Sequence, residues 1–203
     1  MLTTTKKTRR LVFFSMMTSV LIVLELISVS LIRVGIVPIT LSLAPIVIGA
    51  AIYGWKGGAF LGFIFSLVVY ISGLFGGDGG YILSLISFNG AISAIATPIL
   101  IIVKGTAAGF IAGLIYKPIE KRNSLLAVIC AGILAPLTNT GIYVLGMITI
   151  FRGTVLDGSG LSPLVIVISA IWVNFVIELM INLILSVVIT RIISIAKNHK
   201  FNV

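Results

Sequence analysis

Residues 40–63, TLSLAPIVIGAAIYGWKGGAFLGF, contain the pattern that decides the fold of this chain. An apolar run at 39–53 leads into the cluster Gly54-Trp55-Lys56-Gly57-Gly58, and a second apolar run follows at 59–74. Glycine is unfavourable inside a helix, and lysine is typical of the cytoplasmic surface of a membrane protein. The stretch therefore predicts two membrane-spanning helices joined by a tight cytoplasmic turn.

The whole chain shares this apolar character. Of its 203 residues, 59% are hydrophobic and 9% are charged, whereas charged residues make up about 25% of a typical soluble domain. This composition argues against a soluble enzyme, a disordered chain and a nucleic-acid-binding domain, and it suits a protein whose solvent is the bilayer. The single cysteine, Cys130, and the single histidine, His199, do not supply a disulfide framework or a metal site. We therefore expect neither a metal nor a cofactor.

Similar apolar runs recur along the chain, and a helix that crosses the bilayer needs about 20 such residues. The pattern predicts an all-α, polytopic membrane protein with a single domain at residues 1–203. Residues 81–96, after the glycine cluster 76–80, are expected to form an outer-side loop or short half-helix covered by protein. Six spans are expected, at 11–32, 39–53, 59–74, about 97–116, 124–150 and 163–195.

The basic residues predict the orientation, because Lys and Arg concentrate in cytoplasmic loops. Clusters on one side of the membrane must be separated by even numbers of crossings, which the six spans satisfy. Both termini are therefore predicted to be cytoplasmic, as a basic N-terminal segment, 1–10, and a tail, 196–203. Most of the basic residues lie in four clusters, at 6–10, 56, 117–122 and 191–200.

Ionisable side chains inside the bilayer cost roughly 2.5–3.5 kcal/mol each on insertion scales and usually face the bundle interior. Glu25, Lys104 and Glu178 are such residues here. With a rise of about 1.5 Å per helical residue, most polar groups of the spans fall in the outer half or near the midplane. This placement predicts a pocket for a small polar solute that opens to the outside. Its candidate residues are Lys104, Asn139, Tyr143, Asn174, Glu178, Asn89, Thr138 and Trp172.

These polar residues also have simpler interpretations. Asn174, Glu178 and Asn182 recur every four residues, and such a stripe can hydrogen-bond to neighbouring helices. Lys104 can extend toward the lipid headgroups, and Glu25 can be a structural partner of Lys104 instead of a ligand contact.

Small residues four apart predict close approach of helices. Gly105, Gly109 and Gly113 form such a row on the fourth span, where packing inside the bundle is expected. Ser15 and Ser19 form another near the cytoplasmic end of the first span, where docking of a second subunit is an alternative.

The sequence lacks the motifs of common enzymes. It has no G-x-x-x-x-G-K-[ST] phosphate loop, no H-E-x-x-H metal motif and no G-x-S-x-G nucleophile elbow. We therefore expect a non-enzymatic protein that cannot hydrolyse ATP by itself. A free-standing secondary carrier or channel is an alternative, although we find no internal repeat of the kind that carriers show. A membrane enzyme or assembly factor is disfavoured by the missing catalytic groups.

In layout, the chain resembles the substrate-binding S component of an energy-coupling factor (ECF) vitamin transporter. Residues 40–63 are similar to that family's second-to-third-span signature: a Leu/Pro-rich entry, a small-residue helix, an aromatic-Gly turn and a Gly-Gly opening of the next span. The resemblance implies a bacterial, multi-pass plasma-membrane protein that works with a transmembrane coupling subunit and two cytoplasmic ATPases. It also implies that loops close the pocket and that the whole subunit topples during transport. Ser15 and Ser19 stand at the positions of the family's Ala-x-x-x-Ala pair, which docks the coupling subunit, with the small residue serine in place of alanine.

The segment 172–183, WVNFVIELMINL, is most similar to the pantothenate-type branch of that family. The predicted pocket has few aromatic residues, and its Lys104 can meet a carboxylate. Asn139, Asn174 and Tyr143 can meet amide and hydroxyl groups, and pantothenate carries all three group types. Another small water-soluble vitamin or precursor is the alternative.

Overall fold

A computed structural model of the protein describes residues 6–31, 33–34, 37–38, 42–77, 81–88, 90–150 and 163–198. Within these residues the chain is helical, as predicted, apart from a ribbon in which the strand β1 (Arg33–Val34) pairs antiparallel with β2 (Val37–Pro38). The helices are α1 (Lys6–Leu31), α2 (Leu43–Leu74), α3 (Tyr81–Phe88), α4 (Ala91–Glu120), α5 (Ser124–Thr149) and α6 (Pro163–Asn198).

Helix α2 is broken at Gly54, where φ is 69° and ψ is −160°. A Cβ atom placed on Gly57 would lie 2.7 Å from the carbonyl oxygen of Gly49, and one placed on Gly58 would lie 2.9 Å from the Cβ of Ala50. Residues eight apart in a straight helix are separated by about 12 Å. The two arms of α2, residues 43–53 and 55–74, therefore fold back on each other. The predicted break between the second and third apolar runs is confirmed.

Helix α4 packs along the second arm of α2 through glycines. A Cβ on Gly109 would meet the carbonyl oxygen of Gly58, and one on Gly105 would lie 2.9 Å from the carbonyl oxygen of Gly62. One turn further, a Cβ on Gly113 would meet the backbone of Trp55. The glycine row therefore packs inside the bundle, as predicted, because only a hydrogen at these positions lets the two backbones touch.

The start of α4 differs from the prediction. The outer segment was expected over residues 81–96, but α3 ends at Phe88 and α4 already begins at Ala91. Gly90, with φ at 59°, separates the two helices. Residues 91–96 contain alanines and isoleucines and no helix breaker, so nothing after Gly90 delays the helix.

The remaining helices complete the bundle around a core of small side chains. Leu100 of α4 packs against Gly146 of α5, and Asn182 of α6 lies next to Gly132 of α5. The buried core includes Ala50, Ala51, Ala112, Ala127, Val128, Ala131, Ala135, Ile189 and Ile193.

The outer surface is apolar, as a bilayer requires. Leu11 and Met16 of α1, Leu145 of α5 and Ile184 of α6 are all exposed. Among the described residues, four helices are long and apolar enough to cross a membrane: Lys6–Ser28 of α1, α2, α4 and α5. Helix α6 is a fifth if its segments Phe175–Leu185 and Val187–Ile195, bent by 45° at their junction, count as one span. The protein is therefore a multi-pass membrane protein.

Candidate functional site

Lys104 brings the polar side chains of four helices together inside the bundle. It lies one turn after Leu100, so both residues are on the face of α4 that packs against α5. Its Nζ atom is 4.5 Å from the centre of the Tyr143 ring. This is the geometry of a cation–π contact, which strengthens when water is excluded.

Two buried carboxylates act electrostatically on the same ammonium group. Glu178 of α6 and Glu25 of α1 both attract Lys104 electrostatically, and the attraction from Glu178 is the larger. Both carboxylates are buried, with exposed fractions of 5% and 3%. With all three groups ionised, the cluster carries one negative charge in excess.

Glu25 is also held by the start of α2. The hydroxyl of Ser42 donates a hydrogen bond of 2.6 Å to the Oε2 atom of Glu25. This length is typical of an O–H donor on an ionised carboxylate. Sequence reasoning missed Ser42, because its partner lies 17 residues earlier on another helix and no local pattern connects the two.

Asn139 of α5 lies one turn before Tyr143 and is buried. Its Oδ1 atom has no hydrogen-bond partner among the described residues. A buried polar atom left unpaired costs about 1–3 kcal/mol, so such an acceptor fits a position where a ligand N–H or O–H arrives. The Oγ1 atom of Thr106 and the Nδ2 atom of Asn182 are unpaired in the same sense.

The structure places the other candidates as follows. Thr138 is half-buried beside Asn139 on α5. Trp172 is 61% exposed, and its ring lies 6.0 Å from that of Phe175, so it stands outside the cluster around Lys104. Asn89 and the side chain of Asn174 lie outside the described residues.

Ser15 and Ser19 lie on an exposed face of α1. The hydroxyl of Ser19 donates a 3.0 Å hydrogen bond to the carbonyl oxygen of Ser15. Because this bond holds the Ser19 hydroxyl against its own helix, the two serines project little from the helix surface. Another helix can therefore approach closely.

An open groove of ≈ 460 Å³ lies between the beginning of α4 and the end of α5. It is lined almost entirely by apolar atoms and therefore lacks the groups that would orient a polar solute. Its lining residues are Ile92, Ile95, Ala96, Ile99, Leu100, Val103 and Ile150.

A bundle of apolar helices with a polar cluster drawn from several of them is the arrangement of a membrane protein that binds a solute. The family model of the ECF transporter substrate-specific component matches residues 9–193. The chain belongs to this family. No curated protein matches the chain.

ECF S components are membrane-embedded, substrate-binding subunits of transporters and not enzymes. They bind small substrates and work with a transmembrane T component and ATPases. In this S component, the described residues contain no group of three or more His, Cys, Asp or Glu side chains that could hold a metal ion. The polar cluster around Lys104 is the candidate substrate site.

Proposed function

We propose that this S component captures a small water-soluble vitamin, with pantothenate as the candidate, from outside a bacterial cell. It delivers the vitamin by toppling in complex with a coupling subunit and two ATPases. The single observation that supports the substrate site is that buried Lys104 contacts the ring of Tyr143 and interacts electrostatically with Glu178 and Glu25, so that four helices contribute polar groups. Such groups are costly in a bilayer and persist where they serve function.

The proposed membrane arrangement has six crossings with both termini in the cytoplasm. The break of α2 at Gly54 and the packing of its arms support counting α2 as two crossings. With one crossing each for α1, α4, α5 and α6, the total is six crossings. Because six is even, both termini lie on the same side of the membrane. The basic residues of 6–10, Lys56 and 117–122 then share the cytoplasmic side.

Pantothenate fits the chemistry of the cluster. Its carboxylate would meet the ammonium of Lys104, and a hydroxyl or amide N–H would meet the unpaired Oδ1 atom of Asn139. Thr138 and Tyr143 of α5, together with Asn174, would complete the polar wall. The similarity of residues 172–183 to the pantothenate-type branch supports the same assignment.

The test is to identify the molecule that accompanies the protein. The full chain is purified in detergent, and small molecules released by denaturation are identified by mass spectrometry. Titration calorimetry then compares pantothenate with a panel of other water-soluble vitamins. Pantothenate among the released molecules, with micromolar or tighter binding, supports the assignment, and binding of a different vitamin alone replaces it.

The same material distinguishes the carrier alternative. The purified chain alone is reconstituted in vesicles and given labelled pantothenate with and without a proton gradient. An S component needs its partner subunits, so we expect binding without accumulation. Gradient-driven accumulation by the chain alone would contradict the proposed function.

A further inference from the structure

Asn182 is a buried polar residue of α6 that the proposed substrate site does not use. It lies one helical turn after Glu178, and only 4% of it is exposed. Its Nδ2 atom has no hydrogen-bond partner among the described residues. Burying an amide N–H without an acceptor is costly, so such a group is normally hydrogen-bonded to protein or to a small molecule.

A carbonyl group that lacks its usual donor lies on the adjacent helix. Gly132 of α5 faces Asn182, because a Cβ placed on Gly132 would lie 3.9 Å from both the Cβ and the carbonyl oxygen of Asn182. Pro136, one turn later in α5, has no N–H and cannot donate to the carbonyl oxygen of Gly132. Both α5 residues are buried. A donor on α6 and an acceptor on α5 are therefore neighbours at this interface.

The packing around Gly132 is looser than the packing of the glycines on α4. A Cβ on Gly109 would overlap the carbonyl oxygen of Gly58, so the two backbones touch there. A Cβ on Gly132 would come no closer than 3.9 Å to the described residues that face it. Close contact between helices therefore does not require glycine at position 132, and the missing side chain leaves space beside Asn182.

We propose that Asn182 and the carbonyl group of Gly132 bind one hydroxyl oxygen between α5 and α6. This oxygen accepts a hydrogen bond from the Nδ2 atom of Asn182. It donates a hydrogen bond to the carbonyl oxygen of Gly132, so that the donor and the acceptor both gain a partner.

Two molecules can supply this oxygen. One is an ordered water, which in a folded protein typically bridges buried polar groups of this kind. The other is the bound vitamin, through a hydroxyl at the end opposite its carboxylate. Gly132 lies seven residues from Asn139 on the same face of α5, or about 10 Å along the helix, so a ligand would have to extend over that length. Only the vitamin as source rests on the proposed function.

The first test is thermal unfolding of the full chain in detergent without ligand. Asn182→Leu replaces the amide with an apolar side chain of similar size. If water is bound, the melting temperature (Tm) should fall by about 2–4 °C, because the Gly132 carbonyl group loses its bridge to α6. If nothing is bound, the same substitution removes a costly unpaired amide, and the Tm should stay unaltered or rise.

Gly132→Ala is the second variant, because its methyl group would take the space beside Asn182 without overlapping the described residues that face it. Its Tm should also fall if water is bound. Gly141→Ala on the same helix is the matched control. It gains the same helix propensity at a position where no atom of the described residues lies within 4 Å of a Cβ, so its Tm should stay unaltered or rise. If Asn182→Leu does not fold, Gly132→Ala and its control still decide.

Titration calorimetry with pantothenate then identifies the source of the oxygen. A ligand-free Tm that falls in each folded variant assigns the oxygen to water. Where the Tm does not fall, pantothenate binding that is about tenfold weaker in each folded variant assigns the oxygen to the vitamin. Any other result overturns the inference and leaves vitamin capture intact. Absence of vitamin binding by the folded, unaltered chain would overturn the proposed function, and the Tm comparison would still decide for or against the water.

Discussion

Lys104 shows how a single charged residue can be kept inside an apolar bundle. Its ammonium has the Tyr143 ring on one side and the charges of Glu25 and Glu178 nearby. These partners offset the cost of removing the charge from water, and each comes from a different helix. The same groups supply the charges that the proposed substrate site needs.

Replacement of Lys104 by methionine should weaken pantothenate binding by about 10- to 100-fold. The reason is the loss of a charge-assisted contact worth roughly 1.5–3 kcal/mol. Titration calorimetry on the purified chain measures the change. Lys56→Met is the matched control, because Lys56 is exposed beside Trp55, at the turn of the α2 hairpin. Equal affinity in the unaltered chain and Lys104→Met would remove Lys104 from the site.

Ser42→Ala should lower the free energy of unfolding by about 1–3 kcal/mol, because it removes the hydroxyl that hydrogen-bonds to buried Glu25. Unfolding in detergent, followed by circular dichroism, measures the effect. Ser87→Ala is the control, since that exposed hydroxyl donates to the Leu83 carbonyl oxygen one turn earlier in α3. If both variants unfold alike, the bond between Ser42 and Glu25 does not stabilise the fold.

Helices α2 and α4 show what close packing requires of an element. Gly58 meets Gly109 and Gly62 meets Gly105, so the spacing of four residues on both helices brings two backbones into contact. Without a hydrophobic driving force between helices in lipid, such contacts supply much of the association energy. The packing also fixes which face of α4 turns toward α5, and this face carries Lys104.

Gly109→Ala should destabilise the protein by about 1–3 kcal/mol, because the new Cβ would overlap the carbonyl oxygen of Gly58. Gly141→Ala on α5 is the matched control, as no atom of the described residues lies within 4 Å of a Cβ there. That change should leave stability unaltered or raise it by up to about 1 kcal/mol, the helix-propensity difference. Thermal unfolding of both variants is the measurement, and equal stability would exclude a tight contact between Gly58 and Gly109.

At the scale of the whole molecule, the chain has an interior that suits a solute and an exterior that suits lipid and partner helices. Ser15 and Ser19 belong to that exterior, on the exposed face of α1. The polar cluster lies further along the bundle, where Glu25 of the same helix contributes. The proposed substrate site and the proposed docking surface therefore lie at different places on the chain.

Ser15→Phe or Ser19→Phe should reduce recovery of the coupling subunit with this chain at least about fivefold, because a bulky ring prevents close helix approach. Pantothenate affinity should stay within about twofold. A pull-down from membranes that contain all four subunits measures recovery. Gly141→Phe, in an open position on α5, is the control for bulk alone. Full recovery with both serine variants would place the docking surface elsewhere.

Local sequence by itself determined the membrane class, the helical fold and most helix positions. Long apolar runs form helices in the bilayer, because the hydrocarbon core offers no hydrogen bonds to unpaired backbone groups. The glycines after Tyr53 predict the break seen at Gly54. The family resemblance was also visible in residues 40–63, and the matching family model confirms it. The predicted start of α4, at about residue 97, was wrong, although residues 91–96 contain no helix breaker that would delay the helix.

Only the tertiary structure decided which polar residues meet. The depth of each polar residue along its span can be counted from the sequence. The rotation of each helix about its own axis cannot, because it depends on contacts such as that of Gly109 with Gly58. Those contacts bring Lys104 to the ring of Tyr143 and within electrostatic reach of Glu25 and Glu178, and they leave Trp172 exposed. They also join Ser42 to Glu25 across 17 residues. Such pairings are long-range, and their energies depend on distances that a linear pattern does not contain.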